Sequence, residues 1–236
     1  MQIQCCTITG ADDQTFPDEI MEMTEKYPFV EWGILIYPKK MGTLRYPLLQ
    51  SIDEFVAVRQ ECPVHLAAHL CGTAVDQFLT GNPVSRTMLA PFDRIQVNVD
   101  PTMMAVNRMG MVLRYAIRRY SDTKPIITQH NTATAGFYRH LADLDNHALL
   151  FDASRGNGVR PSRWPAPFPN KRCGYAGGLT PENIEEDLAA IDRAAGPATV
   201  WIDLETGVRT NDELDVNYHR LKPVACERLS ETKQLD

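Results

Sequence analysis

Residues 173–184, CGYAGGLTPENI, put two adjacent glycines between a short apolar run and a helix start. Glycines let backbone N–H groups approach an anion closely, and the positive end of a following helix favours a phosphate there. Gly177 and Gly178 are therefore candidate phosphate ligands; the alternative is a tight strand-to-helix turn that holds nothing. Thr180 is the expected N-cap, with Pro181 in the first turn and Glu182 complementing the helix dipole. A second group of chemistry-bearing residues is His65, His69 and Cys71. On a strand over 64–69 the two histidines share a face. With His130 and Asp100 from neighbouring strand ends they contain the donors of a mononuclear metal site. The simpler expectation is that His69 and His130 line a substrate pocket as neutral hydrogen-bonding groups, with no metal and no cofactor.

Composition bounds the function classes. The chain has 236 residues, 44% of them hydrophobic, and a net charge of −6. That length suits one large α/β barrel or two small domains, and no linker divides the chain. An acidic chain is a poor match for a nucleic-acid backbone, so no nucleic-acid partner is expected. No apolar run reaches the length of a membrane span, so no membrane partner is expected either. The opening MQIQCCTITG is too polar for a secretory signal. The six cysteines, Cys5, Cys6, Cys62, Cys71, Cys173 and Cys226, form no CxxC pair, and reduced thiols in a cytoplasmic protein are expected. The oligomeric expectation is a monomer or homodimer.

These residues need elements to position them. Strands are predicted over Gln2–Thr7, Trp32–Tyr37, Val64–His69, Arg94–Val99, Pro125–Gln129, Ala148–Asp152, Cys173–Ala176 and Thr199–Leu204. Helical stripes lie between them: Ile20, Met23 and Tyr27; Ile52, Phe55 and Val56; Met109, Val112, Leu113, Ala116 and Ile117; Ile184, Leu188 and Ile191. Strands alternating with helices imply a parallel sheet with right-handed crossovers. Eight units in this length predict a single (β/α)8 TIM barrel over residues 1–236. An open doubly wound sheet would carry its glycine-rich turn after the first strand, whereas here it follows the seventh. The stretch GNGVRPSRWPAPFPNKR, residues 156–172, is too rich in proline for regular structure. It is expected to be an active-site lid with an exposed tryptophan, its basic residues favouring an anionic ligand; the alternative is a tolerated surface insertion. The polar tail beyond Leu221 is read as a final helix or a partly disordered end.

With the units placed, the chain resembles the phosphoribosylanthranilate isomerase family of the tryptophan pathway. QCCTIT resembles the family's Lys-x-Cys-Gly-x-Thr opening and sets Cys6 at the catalytic cysteine. GILIYPKKMGTLRYP resembles the second-strand segment, with Arg45 at the substrate-contacting arginine. LLFDASRGNG sets Asp152 at the catalytic aspartate. AGGLTPENI and WIDLETGV resemble the two phosphate-binding segments, which adds Gly207 and Val208 to the cradle. The chain departs from the pattern at Gln4 and Thr7, where the family carries lysine and glycine. It departs again in HLAAHLCG and VNVD, which fall where the non-phosphate end of a substrate would lie.

The resemblance implies an Amadori rearrangement of a phosphorylated ribosylamine. Asp152 would be the acid at the ring oxygen and Cys6 the base at C2, with Arg45 anchoring a carboxylate. A thiol must ionise to act as a base; as an unactivated residue Cys6 would be a small buried hydrophobe. Asp203, on the eighth strand, has two readings, a chemical role and a structural hydrogen bond, of which the structural one is favoured. A different phosphosugar-processing barrel enzyme (an epimerase, aldolase or metal-assisted lyase) and a non-catalytic phosphate-ligand binder are the competing readings.

Overall fold

The computed structural model describes residues 1–120, 124–211 and 213–214; the tail beyond Leu221 and Cys226 lie outside these described residues. Eight strands close into one barrel in chain order: β1 Gln2–Thr9, β2 Val30–Ile36, β3 His65–Leu70, β4 Arg94–Val97, β5 Ile126–His130, β6 His147–Asp152, β7 Cys173–Ala176 and β8 Thr199–Leu204. Every pairing is parallel, including the closing pair of β1 with β8. The eight predicted strands and the (β/α)8 TIM-barrel fold are thus present, with ends shifted by at most two residues.

Among the described residues, seven α-helices accompany the barrel: α1 Pro17–Lys26, α2 Leu49–Ala57, α3 Thr73–Thr80, α4 Pro83–Met88, α5 Val106–Arg118, α6 Tyr138–Leu141 and α7 Ile184–Ala195. The apolar stripes decide which helix face is buried. Met109, Leu113, Ala116 and Ile117 of α5 face the core, as do Ile184, Leu188 and Ile191 of α7. The start of α7 differs from expectation. The regular helix begins at Ile184, after a turn over residues 181–183. Thr180 nevertheless makes the expected cap bond: the Asn183 N–H donates to Thr180 Oγ1 at 3.4 Å, and the Thr180 N–H donates to Asn183 Oδ1 at 2.8 Å, the reciprocal pair of a capping box.

No helix joins β6 to β7 among the described residues. The proline-rich segment takes its place, and its tryptophan is buried, not exposed: Trp164 is 5% accessible. Its ring meets Tyr175 edge-on at 5.8 Å, and its Nε1–H donates to Asp187 at 2.9 Å. Arg160 pairs with Glu186 and Asp187, and Lys171 donates to the Leu144 carbonyl. These basic residues therefore tie the segment to α7 and to the turn before β6.

The barrel interior has two characters. Ile127, Ala148, Leu150, Ala176 and Trp201 fill the β5–β8 side. The β1–β4 side is polar: Arg94 binds Glu31 and Thr7, and its guanidinium lies 4.7 Å from the Trp201 ring. A register break in β1 governs which residues reach this interior. Ile3 opposes Val200, but Cys6 opposes Ile202, so β1 carries one residue more than β8 over that span. Such a bulge puts two successive residues on one side. Gln4 and Cys5 both face the N-terminal end of the interior, and alternation then resumes with Thr7 and Thr9 inside and Cys6 and Ile8 outside.

Candidate active site

The C-terminal ends of the strands surround a cavity of about 480 Å³, the face on which barrels of this kind carry their chemistry. Each floor residue comes from an inward position near a strand end: His69 from β3, Gln96 from β4, Gln129 from β5, Asp152 from β6 and Asp203 from β8. The glycine turn after β7, with Thr206 and Gly207 of the turn after β8, forms one wall; Val208 is buried in the core behind it and does not line the cavity.

Asp203 has the most perturbed acid in this cavity. Burial raises its pKa to about 7, and the charges of Glu205 and Glu31 push the same way. The Thr9 hydroxyl, donating at 2.7 Å, and the Arg94 charge oppose the rise only in part. The sequence favours a structural role for Asp203 over a chemical one, and the structure adds what it could not show. Its hydrogen bond exists, but so does a carboxyl poised near neutrality at the cavity floor. Glu205 beside it is also raised by burial, against the attraction of Arg45.

Asp152 is buried and lines the same cavity. It accepts from Gln129 Nε2 at 3.2 Å, from the Ser154 N–H and hydroxyl, and from the Gly156 N–H at 2.6 Å. It therefore holds the first turn of the loop after β6 while facing the cavity. His69 is buried and neutral: burial, then the Arg94 charge, lowers its pKa to about 3. Its Nδ1 meets the Gln96 side-chain amide at 3.4 Å.

The expected site residues do not all converge. Cys6 is fully buried in the cluster between barrel and helices, and the bulge in β1 is the reason. It does not line the cavity. His130 also points away from it. Gln129 takes the inward position, and His130 packs edge-on against Phe151, Phe168 and Tyr138, with burial lowering its pKa. Arg45 stands at the rim in a left-handed conformation, φ 72°. Its N–H donates to Asp12, and its guanidinium reaches Glu205 at 3.2 Å and Thr206 at 3.2 Å. Its described contacts thus hold the β8 loop. His65 lies at the opposite end of β3, 3.8 Å from Asp93, and Asp100 binds Thr102. Among the described residues, no group of three His, Cys, Asp or Glu side chains is placed to hold a metal ion.

The glycine wall is tight. A Cβ on Gly178 would lie 2.5 Å from the Arg160 nitrogen, and one on Gly207 would lie 1.9 Å from the Leu179 carbonyl oxygen. Glycine at both positions is required for these chain segments to meet. Gly177 (φ 112°) and Gly178 (φ 67°) are in conformations that side chains disfavour. The Val208 N–H donates to the Glu205 carbonyl at 3.2 Å, which closes that turn. Arg155, at φ 57°, is the cation lining this cavity among the described residues. It was not singled out from the sequence, and neither were Gln96 and Asn98. The signal for the last two was present in RIQVNV, where polar residues occupy alternate positions of an apolar strand.

No family model and no curated protein matches this chain. Solved structures do. Phosphoribosyl anthranilate isomerase from Thermus thermophilus is 19% identical with a TM-score of 0.57, over 96% of this chain and 98% of that one. The enzyme of that name from Thermotoga maritima is 13% identical with a TM-score of 0.55, over 98% of each chain. A truncated 3-deoxy-D-arabino-heptulosonate 7-phosphate synthase from Thermotoga maritima is 13% identical with a TM-score of 0.58, over 99% of this chain and 86% of that one. At these identities the likeness is one of fold, and the fold it supports is the TIM barrel.

Proposed function

We propose that this chain is an enzyme that moves a proton within a phosphorylated, sugar-like substrate by acid–base catalysis at the C-terminal face of the barrel. The observation that carries the reading is Asp203: a buried carboxyl with its pKa near 7, facing the same cavity as Asp152. An acid matched to neutral pH can both give and take a proton during turnover. Phosphosugar names among the solved structures of the same fold support the substrate class.

The phosphate is assigned to the wall of Gly177, Gly178 and Gly207, with Arg155 as its cation. Val208 serves by closing its turn. Within this class the Amadori rearrangement implied by the sequence resemblance is the specific reaction to assay first. There one carboxyl protonates the ring oxygen, and the C1–O bond breaks to leave a protonated imine. A carboxylate then removes the C2 proton, and the resulting enol amine becomes the ketone. Asp203 gives its proton to the ring oxygen and, once ionised, takes the C2 proton that the resemblance assigned to Cys6; Asp152, whose two oxygens already accept four hydrogen bonds, holds the loop after β6 instead of serving as the acid the resemblance implied.

The test is a panel of phosphoribosylanthranilate and C5 and C6 sugar phosphates in D2O, followed by proton NMR. Asp203-dependent conversion, or solvent deuterium at the carbon next to the carbonyl, is the expected result. Absence of conversion and exchange across the panel, or exchange undiminished in Asp203→Asn, overturns the reading.

A further inference from the structure

The β3–β4 side of the cavity carries side chains that acid–base chemistry does not require. His69 is neutral, and next to it Gln96 and Asn98 occupy alternate positions at the end of β4. Their amides form a relay. Gln96 Nε2 meets His69 Nδ1 at 3.4 Å and donates to Asn98 Oδ1 at 3.0 Å; Asn98 Nδ2 donates to Cys71 Sγ at 3.4 Å. The relay leaves one atom over. Gln96 is 3% accessible and lines the cavity, yet its Oε1 has no hydrogen-bond partner among the described residues. Turning the amide over exchanges acceptor for donor at that position but still leaves one polar atom unmatched. Buried polar atoms are rarely left so unless a ligand or water completes them.

We infer that this side of the cavity binds the uncharged, polyhydroxylated part of a phosphosugar, with Gln96 reading a substrate hydroxyl. The inference rests on the phosphosugar reading above and narrows its substrate class. A hydroxyl both donates and accepts, so it matches the open Gln96 atom in either amide orientation. An aryl carboxylate needs a cation here, and the side chains of this relay supply none: His69 is neutral and the others are amides and a thiol. The guanidinium of Arg45 is directed to Glu205 and Thr206.

Calorimetric titration of the full chain with inorganic phosphate, ribose 5-phosphate, ribitol and anthranilate tests this without turnover. Ribose 5-phosphate is expected to bind about tenfold or more tighter than inorganic phosphate, and Gln96→Met to remove that advantage while keeping phosphate affinity within about twofold. Unchanged phosphate affinity certifies that the variant is folded; Gln96→Ala serves as the second variant. Equal affinity for the two phosphates, an advantage kept in both variants, or anthranilate binding that displaces ribose 5-phosphate overturns the inference. Gln96-dependent binding of ribitol with no phosphate binding upholds the inference and overturns the phosphate assignment.

Discussion

A carboxyl held near neutrality makes two testable statements about Asp203. The first concerns stability. Its pKa rises from an ordinary value of 3.8 to about 7 in the fold, so the native state binds the proton more tightly than the unfolded chain. Stability from this group is complete below about pH 4, declines as pH rises towards 7, and is lost above it. Asp203→Asn should flatten that decline and be at least as stable as the parent at pH 8, measured by urea denaturation across pH. The second concerns rate: proton transfer in Asp203→Asn should fall by at least about 100-fold, the ordinary scale of a lost general acid or base. Cys6 gives the opposite expectation. As a core residue, Cys6→Ala should cost about 1 kcal/mol of stability and leave the rate within about twofold; a loss of turnover comparable to that of Asp203→Asn would restore the thiol to the chemistry.

At the scale of elements, the segment between β6 and β7 does the packing work of the missing helix through few side chains. Trp164 covers Tyr175 and donates to the fully buried Asp187, whose other oxygen has no partner among the described residues. Trp164→Phe keeps most of the ring but removes the donor, and should cost about 1–3 kcal/mol. Trp164→Ala removes both and should cost about 3–5 kcal/mol. Thermal unfolding separates the two. Gly156 and Gly158, at the start of the same segment, line the cavity, and its backbone at Val159 and Arg160 crosses the glycine wall. The larger loss should therefore also weaken phosphate binding.

At the scale of the whole molecule, the barrel places its polar interior under β1–β4 and its apolar interior under β5–β8. The Arg94–Glu31 pair occupies the polar side, buried at both ends. Removing one partner leaves an uncompensated charge, so Glu31→Ala should cost about 3–5 kcal/mol. Replacing both, as Glu31→Leu with Arg94→Met, should recover much of that loss. Because Glu31 pushes the Asp203 pKa up and Arg94 pulls it down, Glu31→Ala should lower that pKa, and the double replacement, which also removes the pull of Arg94, should leave it higher than Glu31→Ala does. A pH profile of stability reads both effects.

How much of this was legible in the sequence depends on the range of the forces concerned. The eight strands, their order and the buried helix faces follow from hydrophobic periodicity, which each segment carries by itself. The glycine turn after β7 was legible for the same reason: a side chain at Gly177 or Gly178 would be strained locally. The facing of Cys6 was not, because the bulge in β1 exists only against β8, nearly the whole chain away. Nor was the raised pKa of Asp203. Its pKa is set by burial and by charges on β2, β4 and the β8 loop, which meet only when the barrel closes. The burial of Trp164 likewise required α7 to present Asp187. Local pattern determined the scaffold and its glycine wall, while closure of the barrel decided which side chains share the cavity and in what charge state.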